Sequence, residues 1–343
     1  MDAGHPSQQV AGETEDSMLS VFPPVLSRPI SYDGRTINLI QHTPSTDPPE
    51  PLEFRIVTGD PVKVAIDYAT DNGGIRVPFI CAAHRYNPGR GHPVERLTYE
   101  EQFCRRSNLR DTLTRKWPGM YDTPLYPISE TGGIFSNRVA VYLGPQEDNY
   151  KVLDPIPDLP VVSVPPVRKP DVRGIGRLYS HEKDKSTMRE KISRALRVCL
   201  DHNYNRVVVG DFGLGDGFLN PPQELAEIWR DLLLFDPNLR GQFRSVHFVF
   251  TDPLQSTTQE SQKKYEEKRA RQAAREGPAS ASTGQRTQPL SSQPAPTDME
   301  VFESVFHPDE IKRVREKAAS SSSTNMRAIF FLRDIMEKSW LKG

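Results

Sequence analysis

Two clusters in this chain have the residue types and spacing that chemistry requires. The first is the run NPGRG, Asn87 to Gly91, followed after seven residues by Tyr99, Glu100 and Glu101. Glycines after a strand let backbone N–H groups approach a phosphate, and the start of the next helix adds the positive end of its dipole. Adjacent carboxylates at that helix start would face the same cleft, where one of them can give and take a proton. The same residues also fit an ordinary turn followed by a capping box in which Thr98 and Glu101 satisfy each other's backbone. The second cluster is GDFGLGDGFLNPP, Gly210 to Pro222, set between an apolar strand and a capped helix. In that setting a glycine-rich stretch reads as an anion-binding loop, although a lone loop of this kind is equally read as a flexible turn. It lacks the Lys-Ser/Thr of a Walker loop and does not follow GxGxxG in order, so an ATPase is a poor reading.

The elements that must position these loops follow from periodicity. FRIVT from Phe54 predicts a strand, and Val62, Ala65, Ile66 and Ala69 share a helical face before Gly73-Gly74. IRVPFICAA is a buried-strand candidate. The stretch from Thr98 to Trp117 predicts one long helix, capped by Thr98, with an apolar stripe of Phe103, Leu109 and Leu113. RVAVYL (138–143), preceded by a Gly132-Gly133 turn, and PVVSVPPV (160–167) predict two more strands. Met188, Ile192, Ala195, Leu196 and Cys199 recur at helical spacing and lead into RVVVG, the continuous apolar run of a strand buried on both faces. Asn220, Pro221 and Gln223 predict cap, first turn and capping-box partner of a helix through PPQELAEIWRDLLL, and SVHFVFTDP (245–253) is a final strand. Strands alternating with helices indicate an α/β three-layer domain with a mixed sheet.

Composition bounds the rest. Lys plus Arg (44) nearly balance Asp plus Glu (45), which removes the electrostatic drive of a dedicated nucleic-acid binder, so no direct DNA binding is expected. Cys81, Cys104 and Cys199 are odd in number and lack CxxC spacing, which argues against a disulfide framework and a zinc site. His84, His92, His181 and His247 show no ligand spacing and read as solvated or satisfied side chains, and Cys104 reads as core. With no signal-like start and no run approaching about 18 apolar residues, the expectation is a soluble intracellular protein, in cytoplasm or nucleus. The first 50 residues read as a mostly disordered arm, with residues 51–254 as the folded domain. Residues 255–298 read as a charged segment and then a low-complexity linker, and residues 299–343 as short amphipathic helices that pack back on the domain or bind a partner. Lys263 to Arg275 is a solvated charged run or a weak import or partner-binding signal.

The stretch from about Leu52 to Pro253 resembles the microbial-type poly(ADP-ribose) glycohydrolases, a branch of the macrodomains. The resemblance runs in order through NPGRG, YEEQFCRRSNL, YPISETGGIFSNRVAVYLG, VVSVPPVRKP and VVVGDFGLGDGFLNPP. It implies a macrodomain-like three-layer α/β/α fold with a mixed central sheet, flanked by disordered arms, and ADP-ribose in a cleft at the ends of the central strands. The family carries GGG, a short gap and QEE, whose last glutamate is the general acid/base and whose preceding glutamate positions the ribose. By that match Glu101 is the acid/base and Glu100 the ribose-positioning residue, and repulsion between them is expected to keep one protonated. Asn87, Gly89, Arg90, Gly91 and Tyr99 line the ligand, and Gly213, Gly215, Gly217 and Phe218 wrap the diphosphate. Ser129 to Ser136 sit near the cleft rim.

The implied substrate is ADP-ribose or poly(ADP-ribose) on modified proteins, cleaved at the ribose-ribose O-glycosidic bond without metal or cofactor. This chain departs from the pattern at several positions. Arg90 stands for the middle glycine, Tyr99 for the Gln of QEE, and Cys81 for an Asn that often contacts ribose. The second loop is one residue longer, with Asp211 and Asp216 near the diphosphate. These departures keep open two alternatives to the hydrolase: an ADP-ribose reader without catalysis, and a scaffold with a degenerate cleft.

Overall fold

The computed structural model describes residues 27–33, 52–89, 98–117, 125–174, 176–276 and 295–320. In chain order the strands are β1 (Ile30–Tyr32), β2 (Glu53–Thr58), β3 (Phe79–Ala82), β4 (Gly133–Ala140), β5 (Asp158–Val164), β6 (Val172–Arg173), β7 (Leu178–Tyr179), β8 (Arg206–Val209) and β9 (Ser245–Phe250). The helices are α1 (Pro61–Asp71), α2 (Tyr99–Arg105), α3 (Leu109–Thr114), α4 (Glu182–Asp201), α5 (Gly215–Phe218), α6 (Pro222–Phe235), α7 (Thr257–Glu276), α8 (Asp298–Val305) and α9 (308–320). Seven strands form one sheet in the order β1-β4-β5-β3-β8-β9-β2, while β6 and β7 pair separately. The strands β5, β3, β8, β9 and β2 run parallel, and β4 is antiparallel to both β5 and β1.

The alternation of side chains sets up two cores. Phe79, Cys81 and Val208 face α1, α2 and α3, where they pack with Val62, Phe103, Leu109 and Leu113. Ile80, Val207 and Val209 face the other way, against Met188, Ile192 and Leu196 of α4, Leu225 and Trp229 of α6, and Phe302 beyond the linker. With helices on both faces, β8 and β9 are buried along nearly their whole length, which is why they read as continuous apolar runs. The result is a three-layer α/β/α domain with a mixed sheet. Among the described residues no helix is long and apolar enough to cross a membrane.

Several sequence expectations change in detail. The single helix expected over 98–117 is two, because backbone groups of residues 106–108 turn to the end of β4. The Arg106 carbonyl accepts from the N–H of Tyr142 at 2.9 Å, and Asn108 both donates to the Ala140 carbonyl at 3.1 Å and accepts the Ala140 N–H on Oδ1 at 2.9 Å. Helix α4 begins at Glu182, six residues before Met188, in a polar stretch that carries no apolar period. Asn220 is not the cap of α6; Pro221 holds that position and Pro222 opens the helix. From the first 50 residues, Ile30–Tyr32 adds the edge strand β1, and most of that arm lies outside the described residues. The 299–306 segment is helical and buries Phe302 and Phe306 against Phe248, while residues 325–341, expected as a further helix, lie outside the described residues.

Candidate functional site

Parallel pairing places both glycine-bearing loops side by side. Phe79 and Ile80 of β3 are in register with Val208 and Val209 of β8, so the loops that leave these strands emerge together at their carboxyl ends. That is the edge at which open α/β sheets bind ligands. The N-terminus of α1 adjoins them: a Cβ on Gly210 would lie 3.3 Å from Pro61 and 3.4 Å from Phe79.

Helix α2 starts at this edge with a complete capping box. Thr98 Oγ1 accepts the Glu101 N–H at 3.4 Å, and Glu101 Oε2 accepts the Thr98 N–H at 2.9 Å. The capping reading of Thr98 and Glu101 is therefore realised, and it also fixes the Glu101 carboxylate at the mouth of the helix. Glu100 points inward instead. It is buried, its Oε2 accepts the His84 N–H at 2.8 Å, and the Gly89 N–H also donates to its carboxylate. Burial pushes Glu100 up to about 8, against the pull of those two amides, and the neighbouring Glu101 charge is only a minor further push. Desolvation, more than the expected repulsion within the pair, thus keeps one of the two protonated near neutral pH.

The loop after β3 is shaped for this contact. Gly89 has φ +57, and a Cβ there would come 2.8 Å from Cys104 Sγ, so only glycine fits between the loop and α2. His84 Nδ1 accepts the N–H groups of Tyr86 and Asn87, each at 3.3 Å, which leaves its ring proton on Nε2. Asn87 is exposed at the tip; Arg90 and Gly91, assigned to the ligand by their position, lie outside the described residues. Cys81 is fully buried in β3, and burial together with the charge of Glu100 raises its thiol. All three cysteines are buried, and none is in a disulfide.

Tyr99 turns to the N-terminus of α1. Its hydroxyl donates to Asp60 Oδ2 at 2.8 Å and accepts from Arg106 at 2.7 Å, and its ring packs edge-on against Phe79. Arg106 also pairs with Asp60, so a buried ion pair ties α2 to the N-cap of α1. In this chain the side chain preceding the two glutamates anchors their helix.

A residue not singled out from sequence sits beside the pair. The Tyr126 hydroxyl is buried without a hydrogen-bond partner, and burial and the charges of Glu100, Cys104 and Cys81 raise it. Glu100 Oε1 is likewise buried and unpartnered. A buried polar atom without a partner is costly, and each of these two groups carries one. The only sequence signal was its place at the head of YPISETGG. Within that block Arg85 holds Ile128 through backbone and side chain, and Arg194 of α4 holds the Thr131 carbonyl at 2.9 Å, so the block is tied to the β3 loop at one end and to α4 at the other.

The second loop is clamped from beneath. Asn220 Nδ2 donates to the carbonyls of Val167 and Gly213 at 2.7 and 2.8 Å, and its Oδ1 accepts from Tyr179 at 3.0 Å. The Gly215 N–H is taken by Thr257 Oγ1 at 2.7 Å, whereas Gly217 has open space where a Cβ would stand. Asp211 accepts the Thr251 N–H at 3.3 Å, and burial pushes it up to about 7. Among the described residues no cluster of three or more His, Cys, Asp or Glu has the arrangement of a metal site.

No family model and no curated protein matches the chain. Solved structures do. The chain is 22% identical to the poly(ADP-ribose) glycohydrolase of Thermomonospora curvata, with a TM-score of 0.54 over 69% of this chain and 85% of that one. To the same enzyme bound to the inhibitor ADP-HPD it is 23% identical, with a TM-score of 0.51 over 69% and 84%. A glutamate-to-alanine mutant of that enzyme gives 22% identity and a TM-score of 0.52 over 69% and 84%. The chain has the α/β fold of these microbial poly(ADP-ribose) glycohydrolases.

Proposed function

We propose that this protein is a divergent poly(ADP-ribose) glycohydrolase, binding ADP-ribose units and hydrolysing the ribose-ribose O-glycosidic bond. The observation that carries the reading is the glutamate pair at the start of α2: Glu101 held at the helix mouth and Glu100 buried, where desolvation pushes its carboxyl up to about 8. A neutral Glu100 donates to a ribose hydroxyl and places no second negative charge next to a diphosphate. For this step Glu101 must enter in its protonated form, and it gives that proton to the leaving ribose oxygen as the glycosidic C–O bond breaks and the electron pair stays with that oxygen. Its carboxylate then takes a proton from water while the water oxygen bonds to the sugar carbon. One water is consumed and Glu101 ends protonated. The backbone at Gly217 and Phe218 faces the diphosphate, and Asn87 and Gly89 line the opposite side. The fold shared with an enzyme that binds ADP-HPD supports this placement.

The test is titration of the chain with ADP-ribose, together with product release from poly(ADP-ribose) by the parent and Glu101→Gln. Gln keeps the acceptor that caps α2, so turnover should fall by at least ~100-fold with binding retained. Equal turnover in the variant defeats the hydrolase. The second reading is an ADP-ribose reader without hydrolysis, favoured by the bond that ties Glu101 Oε2 to the Thr98 N–H. Binding without release by the parent would establish it.

A further inference from the structure

The segment after residue 294 lies outside the stretch that resembles the glycohydrolases, yet it reaches the glycine loop through a continuous chain of hydrogen bonds. Asp298, the first residue of α8, is fully buried. Its Oδ1 accepts the Thr257 N–H at 2.9 Å, and its Oδ2 accepts the Thr257 hydroxyl at 2.6 Å and Gln255 Nε2 at 3.0 Å. A hydroxyl has one proton, and here Asp298 takes it, so the Thr257 oxygen is left to accept. It does so from the Gly215 N–H at 2.7 Å.

The geometry at Gly215 is narrow on both counts that matter. Its φ is +71, and a Cβ would stand 2.8 Å from Gln255 Oε1, the side chain that Asp298 also holds. Asp298 therefore sets both groups that pack on Gly215, Gln255 by accepting from its side-chain amide and Thr257 by accepting from its hydroxyl. An ionised carboxylate is the group that can accept three donors at once, and each such bond is stronger than a neutral one.

The segment is docked firmly enough to act this way. Ser256 Oγ donates to the Pro296 carbonyl at 2.8 Å, and Gln259 Nε2 donates to the Ala295 carbonyl at 3.2 Å. Thr297 and Glu300 form a capping box at the start of α8. Phe302 and Phe306 then pack on Phe248, Phe250 and Phe54, with ring centroids 4.7 to 5.2 Å apart for their closest pairs with each. The opposite flank of the glycine loop is held by Asn220 and by the Lys169 N–H on the Phe218 carbonyl. What remains open is the face at Gly217.

We propose that Asp298, acting through Thr257 on the Gly215 N–H, is a positioning residue that holds the glycine loop in the shape that takes the diphosphate, making residues 295–306 part of the ligand site. This rests on the reading of that loop as a diphosphate holder. Asp298 touches no ligand; it removes the loop's freedom before the ligand arrives, which is a contribution to affinity.

The test uses the full chain and compares Thr257→Val, Thr257→Ser and Asp298→Asn with the parent in ADP-ribose titration, poly(ADP-ribose) turnover and hydrogen exchange of the amides of residues 211–220. Thr257→Val and Asp298→Asn should weaken ADP-ribose binding and raise KM by at least about tenfold, with kcat within about threefold, and speed exchange in the loop. Thr257→Ser keeps the hydroxyl and should match the parent in all three readouts. Parent-like binding by Thr257→Val, or loss by Thr257→Ser equal to that of Thr257→Val, overturns the proposal, the latter because it assigns the effect to packing of the methyl group. A parent that binds no ADP-ribose defeats the functional reading and the ligand role of the relay with it. Loop exchange then still tells the two failures apart, since exchange unchanged in Thr257→Val shows that the relay does not hold the loop at all.

Discussion

The Tyr99 hydroxyl donates to Asp60 Oδ2 at 2.8 Å, tying the residue before the glutamate pair to the cap of the first helix. Arg106 completes the arrangement by contacting both, and the Val62 N–H reaches the same hydroxyl at 3.3 Å. The position of Glu100 and Glu101 relative to α1 is thereby fixed by a polar network that neither glutamate belongs to.

Removing that hydroxyl tests the network. Tyr99→Phe keeps the ring packing on Phe79 and Phe103 and deprives Arg106 and the Val62 N–H of a partner. Unfolding in urea should show a loss of about 1–3 kcal/mol with an unchanged slope. A midpoint equal to the parent's would remove the network from the account of how α2 is held.

Glu100 predicts a pH dependence of stability with a definite sign. Burial raises it from 4.5 to about 8, so the folded state holds the proton more tightly than the unfolded chain. Its contribution is fully present below about 4.5, declines as pH rises toward about 8, and is level above that. Asp211, raised to about 7, and Asp298, raised to about 6, act in the same direction. Glu100→Gln mimics the protonated acid, so its stability relative to the parent should improve by a few kcal/mol between pH 5 and pH 8.5. Denaturation midpoints at the two pH values decide it, and a relative stability that does not change with pH would contradict a protonated Glu100.

Gly89→Ala should be severe for two separable reasons. The new Cβ meets Cys104 Sγ at 2.8 Å, and the φ of +57 strains any side chain. A loss of at least about 2 kcal/mol is expected, along with weaker ADP-ribose binding as the amide that reaches Glu100 is displaced. Adding Cys104→Ala removes the sulfur but leaves the residue 104 Cβ 3.0 Å away, so it should recover part of the steric cost and leave the rest with about 1 kcal/mol of backbone strain. No recovery in the double variant would show that the clash is not the cause.

Tyr126→Phe separates ligand contact from folding. In the ligand-free protein its hydroxyl has no partner, so deleting it should leave stability unchanged or slightly higher. On the proposed reading the hydroxyl bonds the ligand, so ADP-ribose affinity should fall about tenfold. Calorimetric titration beside a melting curve reads both, and unchanged affinity would place Tyr126 outside the site.

Much of the architecture was written in local pattern. The stripe of Met188, Ile192, Ala195, Leu196 and Cys199 is fully or almost fully buried in α4, and the apolar runs that became β8 and β9 are interior strands, because burial against a neighbouring layer imposes the period of the element that is buried. The two glycine loops were also legible, since a glycine before a helix start leaves a recognisable signature. The break between α2 and α3 was not read, although the six-residue step from Phe103 to Leu109 leaves the face of a continuous helix; the competing partners, Ala140 and Tyr142, lie more than thirty residues away in sequence.

The candidate site divides along the same line. Sequence alone determined that Glu100 and Glu101 open a helix capped by Thr98, because capping is a contact within one turn of chain. Only the tertiary structure decided which of the two is desolvated, that Tyr99 faces Asp60 and Arg106, that Tyr126 joins the pair, and that Asp298 holds Thr257 beneath Gly215. Each of these joins residues that are distant in the chain or depends on how deeply a side chain is buried. Those quantities belong to the packed layers, where a hydrogen-bonding group is either paired or left without water, and no spacing along the chain encodes them.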